Sequence, residues 1–209
     1  HLPYQYTADQ LAPCLSLPKI RQGFCAMMVG LDQLVGGVVA ELAANRLIYD
    51  TMIIYAGDNG FEGEAQVPSP YRGGKGQPYL GAYRIPMVVS WPAGGVPMGG
   101  DYALPVSLMD AYSTAELGTF PARDSVNLVP FLRGERKTSP HENLFYAVRP
   151  TEGSIASGNG QWKLYYFHTG RKELYNLLLD PGETTNVVKQ YPGLAANLLA
   201  SWNSWRAQL

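Results

Sequence analysis

Two neighbouring oxygen donors, Asp58 and Asn59, follow the run Thr51-Met-Ile-Ile-Tyr-Ala56 and a single glycine. A carboxylate and an amide carbonyl are hard donors suited to Ca2+ or Mg2+, but two of them cannot fill a shell of roughly six to eight oxygens. Taken alone, Asp58-Asn59-Gly60 also reads as a turn, because Asn and Gly tolerate positive φ and Asp bonds its own backbone. Position brings in the metal reading: open α/β sheets bind ligands beyond the carboxyl ends of their strands. Lys75 stands among Gly73, Gly74 and Gly76, where the backbone can approach a ligand and the ammonium can meet an anion. By itself GGKG favours the plainer reading, an exposed flexible loop with a solvated lysine. It is not a P-loop, since the GxxxxGK[ST] spacing and the Ser or Thr after Lys are both absent. His1 is a candidate anion ligand or proton donor, whereas His141 and His168 are expected to be surface or strand residues. Tyr71, Tyr79 and Tyr83 have a spacing open to sugar stacking, with packing of the loop the favoured alternative.

The elements that must position these residues are legible in the apolar pattern. Ile20, Phe24, Met27, Leu31, Leu34, Val38 and Leu42 step by three or four after Pro18, which predicts a helix of about seven turns ending near Asn45-Arg46. The run Thr51 to Ala56 lacks alternation and predicts a central parallel strand covered on both faces. The long stretch from Gly57 to Tyr83, rich in Gly and Pro, is too long for an idle connection. Arg84 to Pro92 predicts a second buried strand, and Val106 to Gly118 a helix. Beyond Pro140, NLFYAVRP, WKLYYFH and KELYNLLL predict strands of an antiparallel meander, separated by EGSIASGNGQ and TGR. Leu194, Leu198, Trp202 and Trp205 mark a closing helix.

Composition narrows the function classes. With 16 Lys plus Arg against 17 Asp plus Glu, the net charge of −1 points away from nucleic acid and anionic membranes. No apolar run approaches the roughly 20 residues of a bilayer span, and no basic segment precedes an apolar one in the manner of an export signal. Cys14 and Cys25 lack CxxC spacing and nearby histidines, so zinc is not expected and a disulfide stays open. The chain opens at His1 rather than Met, which reads as a piece of a longer protein.

In order along the chain come His1-Leu-Pro3, GLDQLVGGVVAEL, DTMIIYAGDNG, RGGKGQPYLGAYRIPMVVSWP, DSVNLVPFLRGE and WKLYYF followed by ELYNLLLDPGETTNV. This series resembles the C-terminal half of a type I sulfatase, in the alkaline phosphatase superfamily, and spans nearly the whole chain. The resemblance implies an α/β fold: a partial alkaline-phosphatase-like sheet with flanking helices over residues 1–138, then a small α+β subdomain with an antiparallel sheet over 139–209. It implies Ca2+, or Mg2+, held by Asp58 and Asn59, and a substrate sulfate met by Lys75 and His1. Arg84 is expected to orient its loop, and Asp180, Glu183 and Asn186 to serve strand-and-turn architecture.

The family's nucleophile is a formylglycine made from the Cys or Ser of a C/S-x-P-S/A-R segment, whose hydrated aldehyde attacks sulfur. No such segment occurs here, since Cys14 precedes Leu-Ser-Leu and Cys25 precedes Ala-Met-Met. The paired acidic ligands of the family's first strand are absent as well, so this chain alone is expected to bind a divalent ion weakly and to be inactive. The sequence also shows YLGA, Tyr79 to Ala82, where the family shows YEGG, and Gly57 where it often has Ser or Thr. The expected substrate is a sulfated small molecule or a sulfated glycan, and the expected compartment periplasmic, extracellular or lysosomal; the lack of an N-x-S/T sequon weighs against a glycosylated lysosomal protein. The alternatives are a phosphonate or phosphate ester hydrolase of the same superfamily, or a non-catalytic binding domain derived from a sulfatase.

Overall fold

The computed structural model describes residues 3–61, 69–116, 124–149 and 152–208. A short helix α1 (Ala8–Leu11), capped by Thr7 and Gln10 in a reciprocal box, runs through a 3-10 turn (Ala12–Cys14) into the long helix α2 (Lys19–Ala44). The predicted length of α2 holds, but its buried face does not. Ile20, Leu34 and Val38 of the apolar stripe are exposed, and Ala26 is the residue of α2 that is fully buried. The packed face is the one bearing small residues: a side chain at Gly23 would collide with Tyr4, and one at Gly30 would crowd Gln10. Cys14 and Cys25 are joined in a disulfide that holds this N-terminal segment on the helix. The helix ends where Arg46 turns to φ 62 and Leu47 N–H bonds Leu42 O at 2.8 Å.

Counted by window rather than by contiguous run, α2 is long and apolar enough to cross a bilayer, with a mean hydropathy of 1.6 over 18 residues. This corrects the expectation from sequence, which missed it because Arg21, Gln22, Asp32 and Gln33 interrupt the apolar stretches.

Strands β1 (Ile53–Ala56) and β2 (Met87–Ser90) follow, with a single turn of helix, α3 (Leu80–Tyr83), between them. They pair antiparallel, Ile53 opposite Ser90 and Ala56 opposite Met87, which overturns the expected parallel strand. The chain returns onto the neighbouring edge, and among the described residues of 57–86 the one helix is the single turn α3, shorter than a crossover helix. Both strands are also shorter and less buried than predicted, with Val88 exposed. Helix α4 (Asp110–Glu116) starts four residues later than expected, and α5 (Val129–Leu132) was not anticipated.

The C-terminal sheet is an antiparallel meander in the order β3 (Asn143–Arg149), β4 (Glu152–Ser157), β5 (Trp162–Tyr166), β6 (Lys172–Asn176). Strand β4 occupies the first six residues of EGSIASGNGQ, which the sequence reading treated as a separator. Its small residues lower its strand propensity, yet it is the most buried strand because it is covered on both faces. Ile155, Leu164 and Leu174 point to helix α6 (Pro192–Arg206) and form one core with Ala195, Leu198 and Trp202. Gly153 has no room for a side chain because Trp202 lies over it. The opposite face carries Tyr146, Ser154, Lys163, Tyr165 and Tyr175 in register across the strands, and this face meets residues 72–84.

Candidate functional site

Asp58 and Asn59 leave the carboxyl end of β1 as exposed side chains, while Gly60 after them is buried. Asp58 Oδ1 accepts the Asn59 N–H at 2.9 Å, and Asn59 Nδ2 donates to Gly60 O at 2.9 Å. Neither bond uses Asn59 Oδ1 or Asp58 Oδ2, and both side chains are exposed. Those two atoms fit a hard divalent cation in type but not in number. Among the described residues, no group of three or more His, Cys, Asp and Glu gathers to complete the shell.

Three backbone stretches converge here. Gly60 N–H bonds Ala82 O at 2.8 Å, Gly81 N–H bonds Arg72 O at 2.8 Å, and Lys75 N–H bonds Phe61 O at 2.8 Å. Segment 72–75 is therefore clipped both to the residues after Asn59 and to α3. The glycines are what allow this approach. A Cβ at Gly60 would lie 2.6 Å from Ala82 Cα, one at Gly74 would strike Phe61 O, and one at Gly81 would stand 2.7 Å from Arg72 O. Sequence reasoning assigned the GGKG glycines to closeness with a ligand; in the fold, Gly74 serves closeness between backbones, and Gly73 sits at φ 74. The structure thus places Lys75 on the same backbone cluster as Asp58 and Asn59. His1 lies outside the described residues.

The departure at YLGA is accommodated. Ala82 is buried and its carbonyl is the acceptor for Gly60, while Leu80 N–H bonds Glu183 Oε2 at 2.5 Å. The tyrosines of the loop are used in packing. Arg72 lies 3.6 Å over the Tyr79 ring, Tyr83 packs on Tyr146 with centroids 4.3 Å apart, and Arg84 sits 4.7 Å over Tyr71. Burial raises the Tyr83 and Tyr146 hydroxyls to about 12, so both stay neutral donors at physiological pH. Two clefts, of about 430 and 720 Å3, are lined by other residues and include none of Asp58, Asn59 and Lys75.

The sequence reading gave Glu183 to strand-and-turn architecture and missed its partners, Lys163 and Arg72. Glu183 is fully buried and pairs with Lys163 at 2.8 Å, each side chain 1% exposed. Burial pushes the Lys163 ammonium below the usual lysine range, and Glu183 opposes that shift. Arg72 Nη1 donates to Tyr175 OH at 3.2 Å and to Glu183 O at 3.1 Å, and Tyr79 OH donates to Glu173 Oε2 at 3.3 Å. The signal available in sequence was DPGETT itself. Asp180 accepts the Thr184 and Thr185 N–H groups, closing a turn in which Glu183 takes φ 52 and faces inward. Asn186, expected to be architectural, bonds Leu174 N–H at 3.0 Å as such a residue should. His141 corrects its expectation: it is largely buried, and its Nε2 lies 2.8 Å from the buried Asp110. His168 is exposed, as expected, and pairs with Glu152.

The sulfatase family model matches residues 3–115. The chain is 34% identical over 154 residues to steryl-sulfatase of Mus musculus, covering 66% of this chain and 24% of that protein. It is 30% identical over 183 residues to choline-sulfatase of Rhizobium meliloti (strain 1021), covering 84% and 34%. The crystal structure of Ps i-CgsB in complex with k-i-k-neocarrahexaose superposes with a TM-score of 0.87 at 26% identity, over 99% of this chain and 48% of that one. The chain therefore spans a quarter to a third of the length of these curated relatives and about half of that structure. Helix α2 falls inside the matched domain, which makes it a helix of that fold. The extent of the family match, over more than half of the residues, together with a superposition of almost the whole chain, is decisive: the chain belongs to the sulfatase family, with the α/β fold of the alkaline phosphatase superfamily.

Proposed function

We propose that this chain supplies the metal-binding and sulfate-binding side of a sulfuric ester hydrolase, whose nucleophile comes from a C/S-x-P-S/A-R segment that these residues do not contain. The observation that carries the reading is the clip of Lys75 N–H on Phe61 O, two residues past Asn59, in a chain of the sulfatase family. Asp58 and Asn59 offer two hard oxygens on exposed side chains, and a Ca2+ or Mg2+ held there would offset charge on the sulfate oxygens. Lys75 projects an ammonium from a loop fixed at both ends and binds one sulfate oxygen, so the charge that grows on the ester in the transition state meets a preplaced cation. His1 donates to a further sulfate oxygen.

The substrate is a sulfate ester, on a small molecule or a glycan. Steryl-sulfatase and choline-sulfatase carry names of the first kind, and the neocarrahexaose complex is of a glycan. Because Tyr79 and Tyr83 are committed to packing, neither serves as a stacking platform for sugar. The Cys14–Cys25 disulfide supports an oxidising compartment, such as the periplasm, the extracellular space or the lysosome.

The test is turnover of an aryl sulfate by the protein carrying the nucleophile segment, with Asp58→Ala and Lys75→Ala beside wild type. Loss of activity on chelation, restored by Ca2+, with both variants slow, supports the reading. Faster turnover of a phosphonate monoester than of the sulfate would move the protein to the neighbouring hydrolase class.

A further inference from the structure

The turn after β6 reaches across to the sulfate-binding loop. Asp180 gathers the Thr184 N–H, the Thr185 N–H and the Thr184 hydroxyl, and this closed turn holds Glu183 in a left-handed conformation with its side chain buried. Its carboxylate is divided between two partners. Oε1 takes the Lys163 ammonium at 2.8 Å, and Oε2 takes the Leu80 N–H at 2.5 Å. Its carbonyl accepts Arg72 at 3.1 Å. One residue of the C-terminal sheet's closing turn thereby grips both ends of segment 72–80, which carries Lys75 between them. From Leu80 the path to the metal ligands is two residues and one bond: Ala82 O accepts the Gly60 N–H next to Asn59.

A buried ion pair is seldom needed for stability alone, since apolar replacements of similar volume are often neutral or better. Here the carboxylate has a second task, because without it the part-buried Leu80 N–H loses its carboxylate acceptor and the loop its anchor.

We propose that Glu183 is a positioning residue for the sulfate site: through Leu80 and Arg72 it fixes the spacing of Lys75 from Asp58 and Asn59, with Lys163 as the counter-charge that lets the carboxylate be buried. The inference rests on the sulfatase reading and concerns a residue that touches neither metal nor ester.

The test separates the anchor from the ion pair in the catalytically competent protein. Lys163→Met with Glu183→Leu removes both charges and the acceptor; Lys163→Met with Glu183→Gln removes the charges but keeps an oxygen for Leu80. Positioning predicts that both double variants melt near wild type. The Leu form should show a KM for sulfate ester raised about 10-fold or more and faster hydrogen exchange at Gly60, Lys75 and Gly81, with β4 and β5 unchanged. The Gln form should return both towards wild type. Should the Leu form fail to fold, Arg72→Met removes the other contact of Glu183 with segment 72–80 and leaves the buried pair in place; it should likewise raise KM and speed exchange at Gly60, Lys75 and Gly81, and wild-type values of both overturn the proposal. Wild-type KM and wild-type exchange in the Leu form overturn the proposal, and so does a loss of protection spread evenly over the whole chain. Exchange is read without turnover, so a failure of the sulfatase reading, seen as an inert Lys75→Ala change, is distinguishable from a failure of this one.

Discussion

Gly60→Ala adds one methyl group where two backbones touch. The new Cβ would lie 2.6 Å from Ala82 Cα and 2.8 Å from Ala82 C, and closer still to Gly81 O. Carbon atoms in ordinary contact sit about 3.5 Å apart, so the two segments must part by about 1 Å or more. Gly60 is not among the glycines at positive φ, so its torsions are open to alanine and the clash is the whole obstacle. Parting the segments breaks the Gly60 N–H bond to Ala82 O, worth about 1 kcal/mol, and overpacking adds about 1–3 kcal/mol. The sum of roughly 2–4 kcal/mol lowers Tm by roughly 5–15 °C for a chain of this size. The same displacement moves Asn59 and the Lys75 loop apart, and a shift of that size costs about 100-fold in kcat/KM. Scanning calorimetry and turnover of an aryl sulfate by the competent protein read both effects. Gly36→Ala on α2, with nothing within 4 Å of the added atom, is the control and should stabilise by up to about 1 kcal/mol. Wild-type melting and turnover in Gly60→Ala would refute the idea that backbone contact at this glycine holds the site together.

Three further expectations follow from the supports of the site. Lys163→Met strands the Glu183 carboxylate in the interior and should destabilise by about 3–5 kcal/mol in urea unfolding, far more than its double variant with Glu183→Leu. Replacing Cys14 and Cys25 by serine opens a loop of sequence separation 11 and should cost about 3 kcal/mol, read as a lower urea midpoint that reducing agent reproduces in wild type. Burial opposes ionisation of Asp180, but the bonds from Thr184 and Thr185 outweigh it and hold its carboxyl below the ordinary 3.8. A depressed carboxyl stabilises above its unfolded pKa and loses that contribution as pH falls through the folded value, so the stability gap between wild type and Asp180→Asn should be full at pH 6 and begin to narrow only below about pH 4.

What could be read from sequence followed the strength of local signals. The stepping of apolar residues over α2 and the aromatic alternation of β3, β5 and β6 were strong enough to place those elements within a few residues. Strand β4 was not, because Gly153, Ser154 and Ala156 carry no apolar alternation and are buried by neighbours on both faces. The antiparallel pairing of β1 with β2 depends on how the long intervening segment folds back, which periodicity does not record. At the candidate site, Asp58, Asn59 and Lys75 stood out by type and by glycine context, and the structure sets them on one backbone cluster. Their supports were only partly legible for a physical reason: Glu183 read as turn architecture, while Lys163 and Arg72 lie far from it in sequence and only tertiary packing brings them to it.

The most direct test of the site is divalent-cation-dependent turnover of a sulfate ester by the protein carrying the nucleophile segment, measured for wild type, Asp58→Ala and Lys75→Ala across a Ca2+ titration up to saturation. Both side chains are exposed, so each variant should melt within about 2 °C of wild type, as surface changes do. Each should lose about 100-fold or more in kcat/KM, and Asp58→Ala alone should also need more Ca2+ for half-maximal rate. Wild-type turnover in either variant, or turnover indifferent to chelation, would contradict the claim that these residues form a single metal and sulfate site.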